Sequence, residues 1–590
     1  MLIVSYRVTI IILITNNVIF CMEKSILTPE QELYINKYNT LKEKSEKFQN
    51  KITAEQEVVK DIILQANSIS SIAGFNIQKQ IAIAKHAEST YPIMHSKIKT
   101  LITDFLNYKK RYGTDIEKEF YNRNPMTVED FIIRLLTKRP ITFYDSSDKY
   151  MLQDGSKSRG KDLINGGFRA IGTKSQLDPL ILENYLSYDE MALSAFIGIS
   201  SPTYFINKGD RENKSTPGEN DTFELEGIYV GVVGPRHEAY GLMEAKYTII
   251  RLDNNIINKQ YGLNLAIYGL DPVLYDEKNP LTMWNKLFTT KEFPNGLTFP
   301  TFQEAQNAVT NGSNRFILID NGQSFFDTFV YKERMRLVIE LFLFEANERA
   351  QKKNTKAYVH VVGLGLGAWA ITPMGTKLTD IETPLMLEVY AETIQNYNLS
   401  HISDINFSYF PALFNKLKNP KIGTDITNGQ ELNGIKIHFS KRNPADKLTG
   451  DDAGKLLVAM YPWDSNAYPG NEYWVGLIAA TGDPAAAACS TIGELQNPEI
   501  NNKIAGIYTV YYDPEKYRAL RITSETKLTF TPKPWKWLDY LQNIKQRFTA
   551  YISPYTPAWL TQKKVLAGAL GLSTVGGAYY LYSKYYGLKK

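Results

Sequence analysis

Cysteine is almost absent from this sequence. Its 590 residues contain only Cys21 and Cys489, which excludes a disulfide framework and a cysteine-based zinc site. Histidine is scarce too: six residues are scattered, with no HExxH and no other paired ligand spacing, so no metal site is expected. An excess of one charge is also missing. Lys and Arg outnumber Asp and Glu by only 67 to 62, and no strong basic block occurs, so nucleic acid is not an expected partner. No repeat at a fixed period stands out.

What is present is a globular composition, 43% hydrophobic and 22% charged, on a chain long enough for roughly two to four folding units. Residues 1–21 read as a signal peptide or N-terminal anchor, because Arg7 precedes an apolar run from Val8 to Ile14, with cleavage after Cys21 as the exported case. Residues 22–139 read as a helical region. Thr28-Pro29-Glu30 is a helix start, and the stretch from Glu32 to Lys60 is rich in Lys, Glu and Gln. From residue 140 to about 515, short apolar runs alternate with helical patterns and glycine turns, the pattern of an α/β or α+β domain. Residues 516–562 form a Pro- and Trp-rich connector that includes Thr531-Pro532-Lys533-Pro534-Trp535.

At the far end, Val565 to Ser583 carries no charge. At about 1.5 Å rise per residue this run nearly spans a hydrocarbon core of about 30 Å. Tyr579, Tyr580, Tyr582, Tyr585 and Tyr586 suit a membrane interface, and Lys563, Lys564, Lys589 and Lys590 flank the run. Residues 563–590 are therefore expected to be a single membrane helix with a basic tail, which makes the membrane a partner through residues 565–583 and the protein exported and membrane-bound. A buried or surface-lying helix is the alternative.

The chemistry concentrates in residues 455–492. An apolar run of strand length, Leu456 to Tyr461, breaks at Pro462-Trp463-Asp464. A loop dense in turn formers follows, with Asn466, Pro469, Gly470 and Asn471, and then a second apolar run, Trp474 to Ala480. Asp483 next stands at a helix N-cap position, with Pro484 at the first helical place. Asp464, Glu472 and Asp483 thus fall at or near element ends, where rigid scaffolds present chemistry. Taken singly, Asp464 also reads as a turn residue and Asp483 as a plain cap.

A second feature is Ala357 to Ile371, AYVHVVGLGLGAWAI, a strand followed by a glycine loop. Gly363, Gly365 and Gly367 alternate at the strand end, and glycine lets backbone N–H groups approach an anion closely. No Gly-Lys-Ser/Thr follows, and Ala370 breaks any GxGxxG match, so neither a P-loop nor a dinucleotide fingerprint is present. Trp369 behind the loop walls a pocket or fills the core. Secondary candidates are Arg236, in a turn with His237 and Glu238 that reads as a surface network or an anion site; Asp320, at the end of the strand Arg315–Asp320; and Asp327, ahead of a long helix, Tyr331 to Ala350.

These residues carry a resemblance. Gly365-Leu366-Gly367-Ala368-Trp369 looks like the second phosphate loop of macrodomains, α/β modules that bind ADP-ribose. WDSNAYPGNEYW through TGDPAAAACSTI is similar to the ADP-ribosyl hydrolase effectors of intracellular bacteria typified by MavL, whose divergent macrodomain carries an acidic catalytic cluster. The resemblance covers roughly residues 200–510. The usual Asn-Ala-Ala-Asn and triple-glycine first loop is absent. Asn466 and Pro469-Gly470-Asn471 would stand in its place, after the glycine loop rather than before it, which implies a permuted or rebuilt sheet.

The resemblance implies a macrodomain-like mixed sheet flanked by helices; with the N-terminal helical region and the C-terminal single membrane helix read above, this makes the expected fold class α/β. It implies ADP-ribose or an ADP-ribosylated protein as the partner, and no cofactor. Asp464, Glu472 and Asp483 become the catalytic set, because cleavage at an anomeric carbon passes through an oxocarbenium-like state that carboxylates stabilise. Gly363, Gly365, Gly367, Trp369, Asn466, Gly470 and Asn471 become the ligand-binding set. Trp463, Tyr468 or Trp474 would stack on adenine or ribose. A non-catalytic ADP-ribose or nucleotide reader and a membrane-tethered protein-interaction protein are the competing classes.

Overall fold

The alternating apolar runs build a ten-stranded mixed sheet in the computed structural model. The structure describes residues 27–53, 76–144, 149–157, 167–210, 216–219, 221–252, 280–290, 293–294, 297, 299–410, 428–471, 491–504, 508–513 and 518–523. In chain order the strands are β1 (Tyr91–His95), β2 (Thr142–Tyr144), β3 (Lys149–Met151), β4 (Ile197–Tyr204), β5 (Glu226–Val232), β6 (Ile249–Arg251), β7 (Phe316–Ile319), β8 (Ser324–Asp327), β9 (Ala357–Val361), β10 (Ile402–Ser408), β11 (Glu431–Leu432), β12 (Ile435–Ser440), β13 (Leu456–Pro462), β14 (Tyr508–Asp513) and β15 (Arg518–Thr523). The large sheet runs β11-β12-β10-β9-β13-β5-β4-β1-β14-β15. Its centre, β12-β10-β9-β13-β5, is parallel. Beyond β5 the pairings with β4 and then β1 are antiparallel. β2 and β3 form a hairpin, and β6-β8-β7 a small antiparallel sheet.

Both faces of the sheet are covered, as a parallel centre requires. On one face Val359, Ile405, Ile437, Val458 and Val230 meet Met335, Ile339 and Phe342 of the helix Thr328–Lys352 and Met386 and Tyr390 of the helix Thr379–Asn396. On the other, Leu457, Ala459, Tyr461 and Tyr229 join Leu101 and Phe105 of the helix Ser96–Tyr112 and Phe131 and Leu135 of the helix Val128–Thr137. The Thr328–Lys352 helix matches the long helix expected from the sequence but is buried on more than one stripe, so its charged residues need partners. Glu345 accepts from Tyr91 Oη at 3.1 Å, from Tyr512 Oη and from Arg349 Nε at 2.6 Å, and Glu340 lies 3.1 Å from His95 Nε2. Burial raises the pKa of Glu345, but Arg349, Ser200 and Tyr512 hold it below the ordinary value. Among the described residues of 22–139 there are five helices, starting with Pro29–Thr53, and β1, which sits between β4 and β14.

The expected membrane helix and membrane location are corrected. Among the described residues no helix is long and apolar enough to cross a membrane. The two longest, Pro29–Thr53 and Thr328–Lys352, have the length but carry charges along it. Residues 1–21, 524–562 and 563–590, including the run 565–583, lie outside the described residues.

One polar cluster ties the parallel strands together. Asp404 on β10 is fully buried and accepts from His438 Nε2 on β12 at 2.9 Å, from Ser403 Oγ at 2.6 Å and from Lys455 Nζ. Burial alone would raise its pKa, but these bonds hold the carboxyl well below the usual carboxylate range. A depressed folded pKa contributes stability that is present above the unfolded value, ~3.9, and is lost as pH falls through the folded one. We expect urea midpoints of the native chain to fall as pH drops below about 4, and Asp404→Asn to flatten that acid limb. An unchanged limb in the variant would remove Asp404 from the cause.

Candidate active site

Strands β9, β13 and β5 are adjacent and parallel, so their carboxyl ends open side by side. Such ends are where α/β sheets place ligands. Three loops emerge there: residues 233–244 after β5, 362–378 after β9 and 463–471 after β13. They meet through one contact chain. Arg236 donates from Nη2 to Asp464 Oδ1, and its guanidinium lies 3.9 Å from the centroid of the Trp369 ring. A carboxylate, a guanidinium and a half-buried indole from three separate loops are thereby joined. Trp369 and Asp464 thus share one neighbour, the Arg236 guanidinium.

Arg236 is buried, so the surface-network reading of its turn does not hold. Its backbone is clamped on both sides: Arg236 N donates to Glu244 Oε2 at 3.0 Å, and Ala245 N donates to Arg236 O at 3.2 Å. Glu244 in turn accepts from Arg334 Nε at 2.9 Å, and Arg334 Nη2 reaches the carbonyls of Val233 and Ala195. His237, the next residue, donates its N–H to the Trp369 carbonyl at 2.8 Å. Its Nδ1 lies 2.9 Å from Glu382 Oε1, a close contact that is out of line for a hydrogen bond. Asp464 keeps a 17% exposed side chain. Its Oδ1 also accepts from Asn466 N at 3.0 Å, whereas Oδ2 receives no hydrogen bond among the described residues.

The three glycines behave differently. Gly365 has φ +75°, and a Cβ there would sit 2.7 Å from Pro235 O. A Cβ on Gly234 would meet Gly365 N at 2.3 Å. Gly234 and Gly365 are thus the close-approach point between the β5 and β9 loops. A Cβ on Gly363 would meet the Leu366 side chain, but one on Gly367, at φ −92°, would meet nothing within 4 Å. The expected outcome is that Gly365→Ala costs about 1–3 kcal/mol through its left-handed φ, while Gly367→Ala melts like the parent chain. Differential scanning calorimetry of both variants checks this, and equal melting points would contradict it.

The remaining candidates separate. Asn466, Gly470 and Asn471, in the loop after β13, are buried. Trp463 and Tyr468 are also fully buried, whereas Trp369 is half-buried. Asp320, at φ +53°, accepts from Tyr240 Oη at 2.8 Å and Thr372 Oγ1 at 2.6 Å. Burial opposes its charge, but these bonds hold its pKa below the ordinary value. Asp327 caps the Thr328–Lys352 helix through Val330 N at 3.1 Å and forks with Arg315; burial still pushes its pKa up. Both carry structural hydrogen bonds. Glu472, Asp483 and Trp474 lie outside the described residues. Arg139, Glu244 and Arg334 were not among the sequence candidates: Arg139 and Arg334 meet the site from far along the chain, and Glu244, eight residues after Arg236 in the same loop, carries no motif.

The fold is that of an α/β protein in which three loops meet at the carboxyl ends of adjacent parallel strands. A family model described as ADP-ribosylhydrolase MavL-like matches residues 43–522. Two relatives from Drosophila melanogaster are similar: ADP-ribosylarginine hydrolase CG2909, 32% identical over 75% of this chain and 83% of its own length, and ADP-ribosylarginine hydrolase CG3568, 35% identical over 72% and 77%. The chain belongs to the MavL-like ADP-ribosylhydrolase family, and its activity class is ADP-ribosyl hydrolysis. The match is wider than the resemblance over residues 200–510, and it takes in β1, β14 and nearly all of β15, which share the large sheet. Both relatives are insect proteins, so the expected effector role and bacterial setting gain no support.

Proposed function

We propose that the chain releases ADP-ribose from arginine side chains of proteins, using the cleft between the β5, β9 and β13 loops. The observation that carries this reading is Asp464, held at the carboxyl end of β13 with one oxygen clamped by Arg236 and Asn466 and the other without a hydrogen bond among the described residues. Two relatives named ADP-ribosylarginine hydrolases, similar over most of the chain, support the arginine linkage. In this reading Oδ2 orients a water toward the anomeric carbon of the ribose. The water oxygen bonds to that carbon as the bond to the guanidine nitrogen breaks; Asp464 takes up the water's proton, and the leaving nitrogen receives a proton from a protonated partner carboxyl. Glu472 and Asp483 are the proposed partner carboxylates. Trp369 walls the cleft, and the open edge at Gly367 is the proposed approach for the diphosphate.

The test is a panel of proteins ADP-ribosylated on arginine, on acidic residues or on serine, with released ADP-ribose measured by chromatography. Release from the arginine conjugate alone is expected. Release only from the others would overturn the arginine assignment. Binding of ADP-ribose without release from any conjugate would make the protein a reader instead.

A further inference from the structure

Arg139 follows the Val128–Thr137 helix and is fully buried. Its Nε donates to the Leu135 carbonyl, and its guanidinium stacks on the Trp463 ring at 4.5 Å from the centroid. Nη1 and Nη2 find no acceptor among the described residues. Other buried arginines differ: Arg134 pairs with Glu190, Arg334 with Glu244 and Arg349 with Glu345. Arg139 has no such ion pair among the described residues. A buried charge without a counterion is costly, so its persistence calls for a compensating attraction. That attraction is at hand in Asp464, the residue after Trp463. Burial pushes the Arg139 guanidinium below its ordinary value, and the Asp464 charge pushes it back up. The loop returns to the same place at Tyr468, whose N–H donates to the Pro140 carbonyl at 3.2 Å.

We propose that Arg139 is a positioning residue for Asp464. It acts through the Trp463 ring it stacks on and through the attraction between its unneutralised charge and the Asp464 carboxylate. Asp464 is then held between two guanidinium groups, Arg236 in contact and Arg139 behind Trp463. This inference rests on reading Asp464 as the reacting carboxylate, and its test has one arm that does not.

The first arm is a double-mutant cycle in urea with Arg139→Met, Asp464→Asn and the double variant. Midpoint shifts that fail to add support the coupling, and additive shifts overturn it. Should Arg139→Met not fold, Arg139→Lys and Trp463→Phe enter the same cycle with Asp464→Asn. The second arm measures turnover of the arginine conjugate. Arg139→Met is expected to lower kcat at least ~tenfold with KM within about threefold, and Arg139→Lys to recover part of the loss. A folded Arg139→Met with parental kcat would overturn the proposal. A parent chain that releases no ADP-ribose would refute the functional reading, while the urea cycle would still decide for or against Arg139.

Discussion

Asp464→Asn is expected to lower ADP-ribose release by about 10²–10⁴-fold, the range for removing a group that moves a proton in the transition state. The variant amide still has an oxygen to accept from Arg236 and from Asn466 N, the two bonds that now hold Oδ1. It presents an NH₂ group in place of Oδ2, so it cannot draw a proton from water. Shape is preserved and basicity is lost. ADP-ribose affinity measured by calorimetry is expected to stay within a few-fold, because the substitution leaves Trp369 and the glycine loop in place. Turnover within about threefold of the parent would make Asp464 a structural partner of Arg236 and remove it from the chemistry.

The second large effect is on stability. Glu244→Ala is expected to cost about 3–5 kcal/mol, because it strands the fully buried Arg334 without its counter-charge. The same change frees Arg236 N, which Glu244 Oε2 now accepts. The β5 loop should therefore loosen along with the fold. Glu244→Gln keeps an acceptor for one of these donors and should lie between the variant and the parent. Urea denaturation followed by circular dichroism measures both. A loss under about 1 kcal/mol for Glu244→Ala would mean that Arg334 finds other partners, such as the carbonyls of Val233 and Ala195 that it already touches.

The Arg236–Asp464 contact explains why the site was only half legible in the sequence. Asp464 at the end of an apolar run and Trp369 behind a glycine loop are local signals, because strand ends and glycine turns are set by neighbours in the chain. Arg236 was visible as part of a turn, but nothing in IYVGVVGPRHEAYG says whether its charge meets water or a carboxylate. The answer came from Asp464, 228 residues away. Gly365 shows the same limit in another form. Its position in an alternating trio is equally compatible with holding an anion and with letting another backbone close in. The contact with Gly234 and Pro235 identifies a close-approach role. The uncharged run at residues 565–583 could be weighed only by length and polarity, and the architecture built on it was not sustained among the described residues.

What the sequence determined by itself was local. Thr114, Thr127, Ser187 and Thr301 each start a helix with a capping box, Asp327 caps the long helix, and the apolar runs around Ala357 and Leu456 become β9 and β13. Backbone hydrogen bonds and side-chain periodicity act over a few residues, so such features can be read in a line of text. What only the tertiary structure decided was which loops meet. It set β13 between β9 and β5, drew β1 from between the helices Ile77–Glu88 and Ser96–Tyr112 into the same sheet, and brought Arg139 onto Trp463. Those choices depend on how two faces of one sheet are covered and on where buried charges find partners, and both are properties of the whole packed chain.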